Sequence, residues 1–324
     1  MQWRPGADLD TLRRRAGMLA ALRAFFAARG VLEVETPVLG AATVTDLQLA
    51  SLVTQVGPRA AARYLQTSPE YAMKRLLAAG SGDIYQVSRV FRDDPPGRLH
   101  NVEFTLVEWY RLGFDHRRLM DEVAALLGEL LGGRWRAPAE VLTYREAFAR
   151  ELGIDPLRAP LATLAAAAEA RLGPLPAGLQ AAPAGARDAC LDLLMGAVVG
   201  PALGHERACF VHEYPASQAA LARLLPGDPP IAARFEAYVE GIELCNGFHE
   251  LADPAEQRQR FAADLAARAA HALPLPPLDE RLLAALAAGL PDCAGVALGF
   301  DRLVMLAGGQ RDIRAVLAFA ADEA

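Results

Sequence analysis

The segments Ile84-Tyr85-Gln86-Val87-Ser88-Arg89-Val90-Phe91 and Glu103-Phe104-Thr105-Leu106-Val107-Glu108-Trp109-Tyr110, separated by the polar run Arg92 to Asn101, decide the fold. Both outer segments are rich in β-branched and aromatic residues, which predicts strands. The run between them holds Pro95, Pro96 and Gly97 and predicts a loop. The simplest geometry is an antiparallel pair. Side chains alternate along a strand, so Phe104, Leu106, Glu108 and Tyr110 share one face. Charged residues are seldom buried without a partner. That face is therefore either a floor where a ring stacks on Phe104 and a cation meets Glu108 and Tyr110, or a solvated sheet surface.

Working outward, Leu12 to Ala28 predicts a helix ended by Gly30, and Val31 to Pro37 a short strand stopped by proline. Ser68-Pro69-Glu70 opens a helix through Leu77, with serine as its cap. Residues 115–131, 144–152, Ala162 to Leu172, Pro254 to His271 and Leu282 to Ala288 read as helices. Phe210 to Tyr214, Phe235 to Val239 and Ile242 to Asn246 read as strands, and Gly295 to Leu306 runs from strand into helix. The remainder of Pro156 to Gly185 is rich in Ala, Pro and Gly and reads as insertion or linker. The sum is an α+β fold, an antiparallel sheet flanked by helices. Neither GxGxxG nor GxxxxGK[ST] occurs.

The 324 residues carry a net charge of −6, which argues against an overall nucleic-acid footprint. Hydrophobic residues at 53% can fill a sizeable core. Cys190, Cys209, Cys245 and Cys293 form no CxxC pair and predict reduced thiols in the cytoplasm. The apolar run after Arg13-Arg14-Arg15 is interrupted by Arg23, so an amphipathic helix is expected there, with no membrane span.

Two further constellations carry chemistry. Arg92 ends a strand at the loop, and Arg302 follows Gly299 near the start of an apolar helix. Two arginines from distant segments can clamp a triphosphate, although each alone is more often a surface ion pair. If residues 239–240 form a hairpin turn, Glu236 and Glu243 lie opposite each other, with Cβ atoms about 4.5–5.5 Å apart. Like charges so placed call for a cation, and Mg²⁺ accepts two carboxylates plus phosphate oxygens. The bland alternative is a solvated hairpin.

Val90-Phe91-Arg92, His100-Asn101-Val102-Glu103-Phe104-Thr105 and Glu108-Trp109-Tyr110 resemble motif 2 of class II aminoacyl-tRNA synthetases of the lysyl type. Gly295 to Leu306 resembles motif 3, and Gly30 to Pro37 the dimerising motif 1. Thr67-Ser68-Pro69-Glu70 and Asn246-Gly247-Phe248-His249-Glu250 resemble the lysyl-type amino-acid pocket. The pattern is most similar to the elongation factor P–(R)-β-lysine ligase branch. Motif 1 lies too near the start for an anticodon-binding barrel to precede it, and Ala297 stands where the synthetase has glycine. Arg29 to Pro37 and Pro215-Ala216-Ser217-Gln218-Ala219 point the same way.

The resemblance implies one synthetase-like catalytic domain over residues 1–324, with a helical insertion at about 115–205. It implies ATP bound by Arg92, Asp93, Asp94, Asn101, Phe104, Glu243, Leu244, Gly299 and Arg302. Arg92 and Arg302 would be catalytic, on the α- and γ-phosphates, and Glu236 and Glu243 would hold Mg²⁺. Ser68, Pro69, Glu70, Glu108, Tyr110, Asn246, Phe248, Glu250 and Ala297 would surround (R)-β-lysine. Elongation factor P would accept the product, the chain would dimerise, and stable tRNA binding is not expected. Asp94 replaces the usual glutamate, Val102 the usual proline, and Pro95-Pro96 stiffens the loop. A tRNA-charging fragment, a ligase for a small acceptor and a non-catalytic regulatory paralogue are the competing readings.

Overall fold

The computed structural model describes residues 3–57, 61–175 and 185–323, so residues 176–184 of the expected linker lie outside the described residues. Two compact units make up the chain: Met1–Asp115 with Glu129–Leu131 and Glu250–Ala324, and His116–Gly128 with Gly132–His249. The first unit opens with helix α1 (Leu9–Ala27), β1 (Leu32–Glu33), β2 (Leu39–Gly40), β3 (Val53–Val56) and β4 (Ala61–Leu65). It continues with α2 (Glu70–Ala78), β5 (Ile84–Phe91) and β6 (Glu103–Leu112). The second unit contains most of α3 (His116–Leu131), then β7 (Glu140–Thr143), α4 (Tyr144–Leu152), α5 (Leu161–Leu172) and α6 (Ala186–Leu194). Its remaining strands are β8 (Cys209–Pro215), β9 (Leu224–Leu225), β10 (Ile231–Val239) and β11 (Ile242–His249). The chain returns to the first unit for α7 (Pro254–Ala270), α8 (Glu280–Gly289), β12 (Cys293–Gly299) and α9 (Phe300–Ala307).

In the first unit β5, β6 and β12 form antiparallel neighbours, as the sequence implies. β1 is added in parallel to β5 and is only two residues long. The expected strand over Val31 to Pro37 is thus cut short: Val34 N still donates to Tyr85 O, and the ladder ends before Pro37, which has no N–H to give. α1 starts earlier than expected because the Asp8 carboxylate caps it, accepting from Thr11 N at 2.7 Å. Its buried Phe26 stacks on Tyr85 at 4.4 Å and meets Trp109 edge-on at 5.3 Å. Trp109 therefore belongs to the core under α1, and the alternation of β6 turns Glu108 and Tyr110 the other way.

In the second unit β8, β10 and β11 are antiparallel, while β7 joins β8 in parallel. Tyr144 and Phe148 of α4, Leu191 and Leu194 of α6, and Tyr214 and Tyr238 pack into one core. α4 begins with a capping box between Thr143 and Glu146. All four cysteines are buried and none forms a disulfide. Among the described residues no helix is long and apolar enough to cross a membrane.

One buried ion pair fastens motif 3 to motif 2 and to α1. Asp301, 1% exposed, accepts from Arg15 Nη1 at 2.5 Å and from the backbone N of Thr105 at 2.8 Å. Arg15 Nη2 also donates to Thr105 Oγ1 at 2.7 Å. Asp301→Ala leaves the Arg15 charge without its carboxylate, so a loss of about 3–5 kcal/mol is expected in urea-unfolding measurements.

Candidate active site

Glu108 is 2% exposed, and both its oxygens are used. Ser68 Oγ donates to Oε2 at 2.7 Å and Tyr110 Oη to Oε1 at 2.6 Å. Ser68 stands one residue before the Pro69 cap position of α2. Helix capping by its hydroxyl was expected, and its Oγ does accept from Glu70 N at 3.0 Å while also bridging to β6. Next to this group lies a second one: Lys74 Nζ is 2.8 Å from Glu70 Oε1 and 2.6 Å from Glu250 Oε2. Glu250 is fixed by its own N–H, which donates to Cys293 O. Five of the expected substrate residues, Ser68, Glu70, Glu108, Tyr110 and Glu250, are therefore gathered in the first unit.

β12 supplies the wall. Gly295 pairs with Tyr110 and Ala297 with Glu108, so both stand on the acidic face. A Cβ on Gly295 would lie 2.2 Å from Tyr110 Cε1 and 2.6 Å from Glu250 Oε1, so only glycine fits. Ala297 sets a methyl group opposite Glu108. Burial, reinforced by the neighbouring charge of Glu70, pushes the Glu108 carboxyl up to about 8, and burial also raises the Tyr110 hydroxyl. Such a carboxyl sheds its proton when an ammonium arrives.

The motif 2 loop carries the second part. Arg92 lies 5.1 Å from the Phe104 ring centroid, a cation–π distance. Asp93 N donates to Ala50 O, its side chain is exposed, and Asp94 is half-buried. Arg302 Nε donates to Leu99 O at 3.3 Å, and Nη2 to His100 Nε2 at 3.0 Å. Burial and then the Arg302 charge lower the His100 pKa, which keeps that ring neutral and able to accept. Asn101 donates to Glu103 O and accepts from Ala321 N, so its amide ties the loop to the C-terminal segment. Gly299 ends β12 opposite Leu106 at the head of α9.

In the second unit the expected facing of Glu236 and Glu243 is not found. The turn is Glu240-Gly241, both at positive φ (52° and 72°), one residue later than assumed. A bulge between Ala237 and Tyr238 then sets Glu236 opposite Asn246 and Glu243 opposite Tyr238. Both Glu236 oxygens accept, one from Arg234 Nη2 at 2.6 Å and the other from the Tyr238 hydroxyl. Arg234 Nε donates to Asn246 Oδ1 at 3.1 Å, its Nη1 donates to Gln218 O, and it stacks over Tyr214. Leu244 is buried, and Phe248 packs half-buried against the core of this unit. Among the described residues no group of three or more potential ligands surrounds a metal point. Carboxylates offer the hard oxygens that Mg²⁺ takes, but both of those on Glu236 are already engaged by Arg234 and Tyr238.

Lys74 is the residue that sequence reasoning missed. Its only signal was the i, i+4 spacing from Glu70, which on an exposed helix face is an ordinary surface pair. The buried Glu108 close by leaves a measurable trace. Glu108 keeps its proton in the fold up to about 8 and loses it near 4.5 when unfolded. Folding stability therefore falls as pH rises between those values, by at most about 1.4 kcal/mol per pH unit. In Glu108→Gln this fall should vanish, so urea unfolding at successive pH values should show the variant gaining on the wild type toward about pH 8.

The model for tRNA synthetases class II (D, K and N) matches residues 1–323. An "Elongation factor P--(R)-beta-lysine ligase" of Vibrio cholerae is 51% identical over 321 residues, covering 98% of this chain and 97% of the relative. Proteins of the same description from Erwinia tasmaniensis and Salmonella dublin are 52% and 51% identical, each over 99% of this chain and 98% of its relative. Identity at that level, held from end to end, leaves no room for a different fold beneath the shared motifs: the chain belongs to the class II tRNA synthetases of the D, K and N type, in the branch of the elongation factor P–(R)-β-lysine ligases.

Proposed function

We propose that the protein activates (R)-β-lysine with ATP as an aminoacyl-adenylate and transfers it to a lysine side chain of translation elongation factor P. The observation that carries this reading is the end-to-end identity of 51–52% with ligases of that description. The gathering of Glu70, Glu108 and Glu250, which suits a substrate carrying amines, agrees with it. Charging of tRNA and activation for a small acceptor find no comparable support.

In the first step the β-lysine carboxylate attacks the α-phosphorus, and pyrophosphate leaves. Little covalent help is needed from the protein, so alignment and charge stabilisation dominate. Arg92 would hold the α-phosphate and Arg302 the γ-phosphate, each exchanging a resting partner for the nucleotide. Phe104 would stack on adenine, with Asp93, Asp94, Asn101, Leu244 and Gly299 lining the nucleotide. Glu236 and Glu243 would hold Mg²⁺, which supplies counter-charge to the phosphates. Ser68, Pro69, Glu70, Glu108, Tyr110, Asn246, Phe248, Glu250 and Ala297 would orient the substrate's amines and carboxylate. In the second step the acceptor ε-amine, having lost a proton, attacks the anhydride carbonyl. An amide forms and AMP leaves. We further propose a single catalytic domain with its insertion at about 115–205, acting as a cytoplasmic homodimer without stable tRNA binding.

ATP–pyrophosphate exchange with (R)-β-lysine, α-lysine and no amino acid tests the reading. Exchange strongest with β-lysine, followed by a one-lysyl mass gain on elongation factor P, is expected. Absence of exchange with either lysine overturns it. Ala297→Gly removes the methyl group opposite Glu108 and should shift the α- over β-lysine ratio of kcat/KM upward by about tenfold, the scale of one buried methyl group.

A further inference from the structure

Among the 33 basic residues of this chain, Lys74 is the only lysine. It is also among the most buried: its side chain and that of Glu250 are each 1% exposed. Elsewhere buried positive charge is supplied by guanidinium forks, as at Arg15 against Asp301 and Arg234 against Glu236. A fork is planar and bidentate, whereas an ammonium is a compact point charge with three donors. Here the charge is wedged between two carboxylates on different segments, 2.8 Å and 2.6 Å away. That geometry suits a point and not a fork.

The surroundings make the charge necessary. Glu70 and Glu250 approach Nζ directly, and Glu108 with Tyr110 stands beside them on β6. On the same helix Tyr71 faces Asp46, Asp264 and Asp279, and Arg75 lies in the last turn. α8, packed on α2, contributes only the exposed Glu280 and Arg281. Three carboxylates so close together, two of them almost fully buried, call for a cation between them. Burial works against the Lys74 charge, yet Glu250 and Glu70 outweigh it and raise its pKa above the ordinary lysine value.

We infer that Lys74 is a built-in counter-ion of the substrate pocket, a positioning residue that holds Glu70 and Glu250 in place and leaves Glu108 as the carboxyl that answers the incoming ammonium. This rests on the reading of the pocket as the β-lysine site. Without the internal ammonium, the substrate's own amine would be drawn between Glu70 and Glu250 and would be held out of register. With it, the pocket's charge is set before the substrate enters.

A single lysine makes the test direct. Protein labelled with [ε-¹⁵N]lysine carries one side-chain nitrogen signal. It should remain an ammonium through about pH 9 and should shift on saturation with (R)-β-lysine. Lys74→Met, with folding checked by thermal melting, should raise the KM for β-lysine in pyrophosphate exchange about tenfold or more. The KM for ATP should stay nearly constant, and the pH dependence of the β-lysine KM should move to higher pH. A folded variant with an unmoved pH profile overturns the inference even if its KM rises, since lost packing alone would do that. If the variant does not fold, a nitrogen signal that titrates below about pH 9, or ignores saturating β-lysine, overturns it instead. Wild-type protein that neither binds nor activates β-lysine sinks the substrate reading, while the titration still decides the state of Lys74.

Discussion

Moving one carboxylate out of water costs several kcal/mol unless a partner restores what solvent supplied. The first unit gathers three carboxylates, the half-buried Glu70 and the almost fully buried Glu108 and Glu250. Two of the three share the ammonium of Lys74, and the third is held by two hydroxyls with its charge deferred. This arrangement constrains everything around it. It fixes the start of α2 against β6 through Ser68, and it fixes the residue after β11 through Glu250. It also forbids a side chain at Gly295, where any Cβ would strike both Tyr110 and Glu250.

β6 can support such a pocket because its two faces do different work. Trp109 lies under Phe26 of α1 and anchors the strand by burial. The alternate residues, Glu108 and Tyr110, are thereby aimed at the pocket without a loop to position them, which favours precision. Asp301 extends the same logic to the far end of β6. By accepting from Thr105 N and Arg15, it locks Phe104 and Arg302 to a common frame.

Much of this was legible in the sequence. The strands Ile84–Phe91 and Glu103–Leu112 announce themselves by composition, and their antiparallel pairing follows from a loop too short to cross over. The shared face of Glu108 and Tyr110 follows from alternation alone. What escaped reading was set by tertiary context. A lysine four residues after a glutamate looks like a solvated pair until the helix face is known to be buried. The facing of Glu236 depended on a turn displaced by one residue and on a bulge, and a single-residue shift in register changes every cross-strand partner. β1 shrank to two residues because its ladder with the longer β5 stops before Pro37, which has no N–H to give.

The arginines illustrate how a site can be organised before its ligand arrives. Arg302 donates to a backbone carbonyl and to a neutral His100, and Arg92 rests over the face of Phe104. A carbonyl oxygen, a neutral imidazole and a ring face each hold a guanidinium less strongly than a phosphate oxygen would, because they carry no full negative charge. Neutral and quadrupolar partners hold the guanidinium groups in place, yet they can be exchanged for an anion at little cost. Arg234 differs, since its bond to Glu236 is charge-assisted. The low pKa of His100 is therefore part of the design: a protonated ring would repel Arg302 and release it from its resting position. In this loop, contacts to uncharged groups help to order both arginines before any ligand arrives.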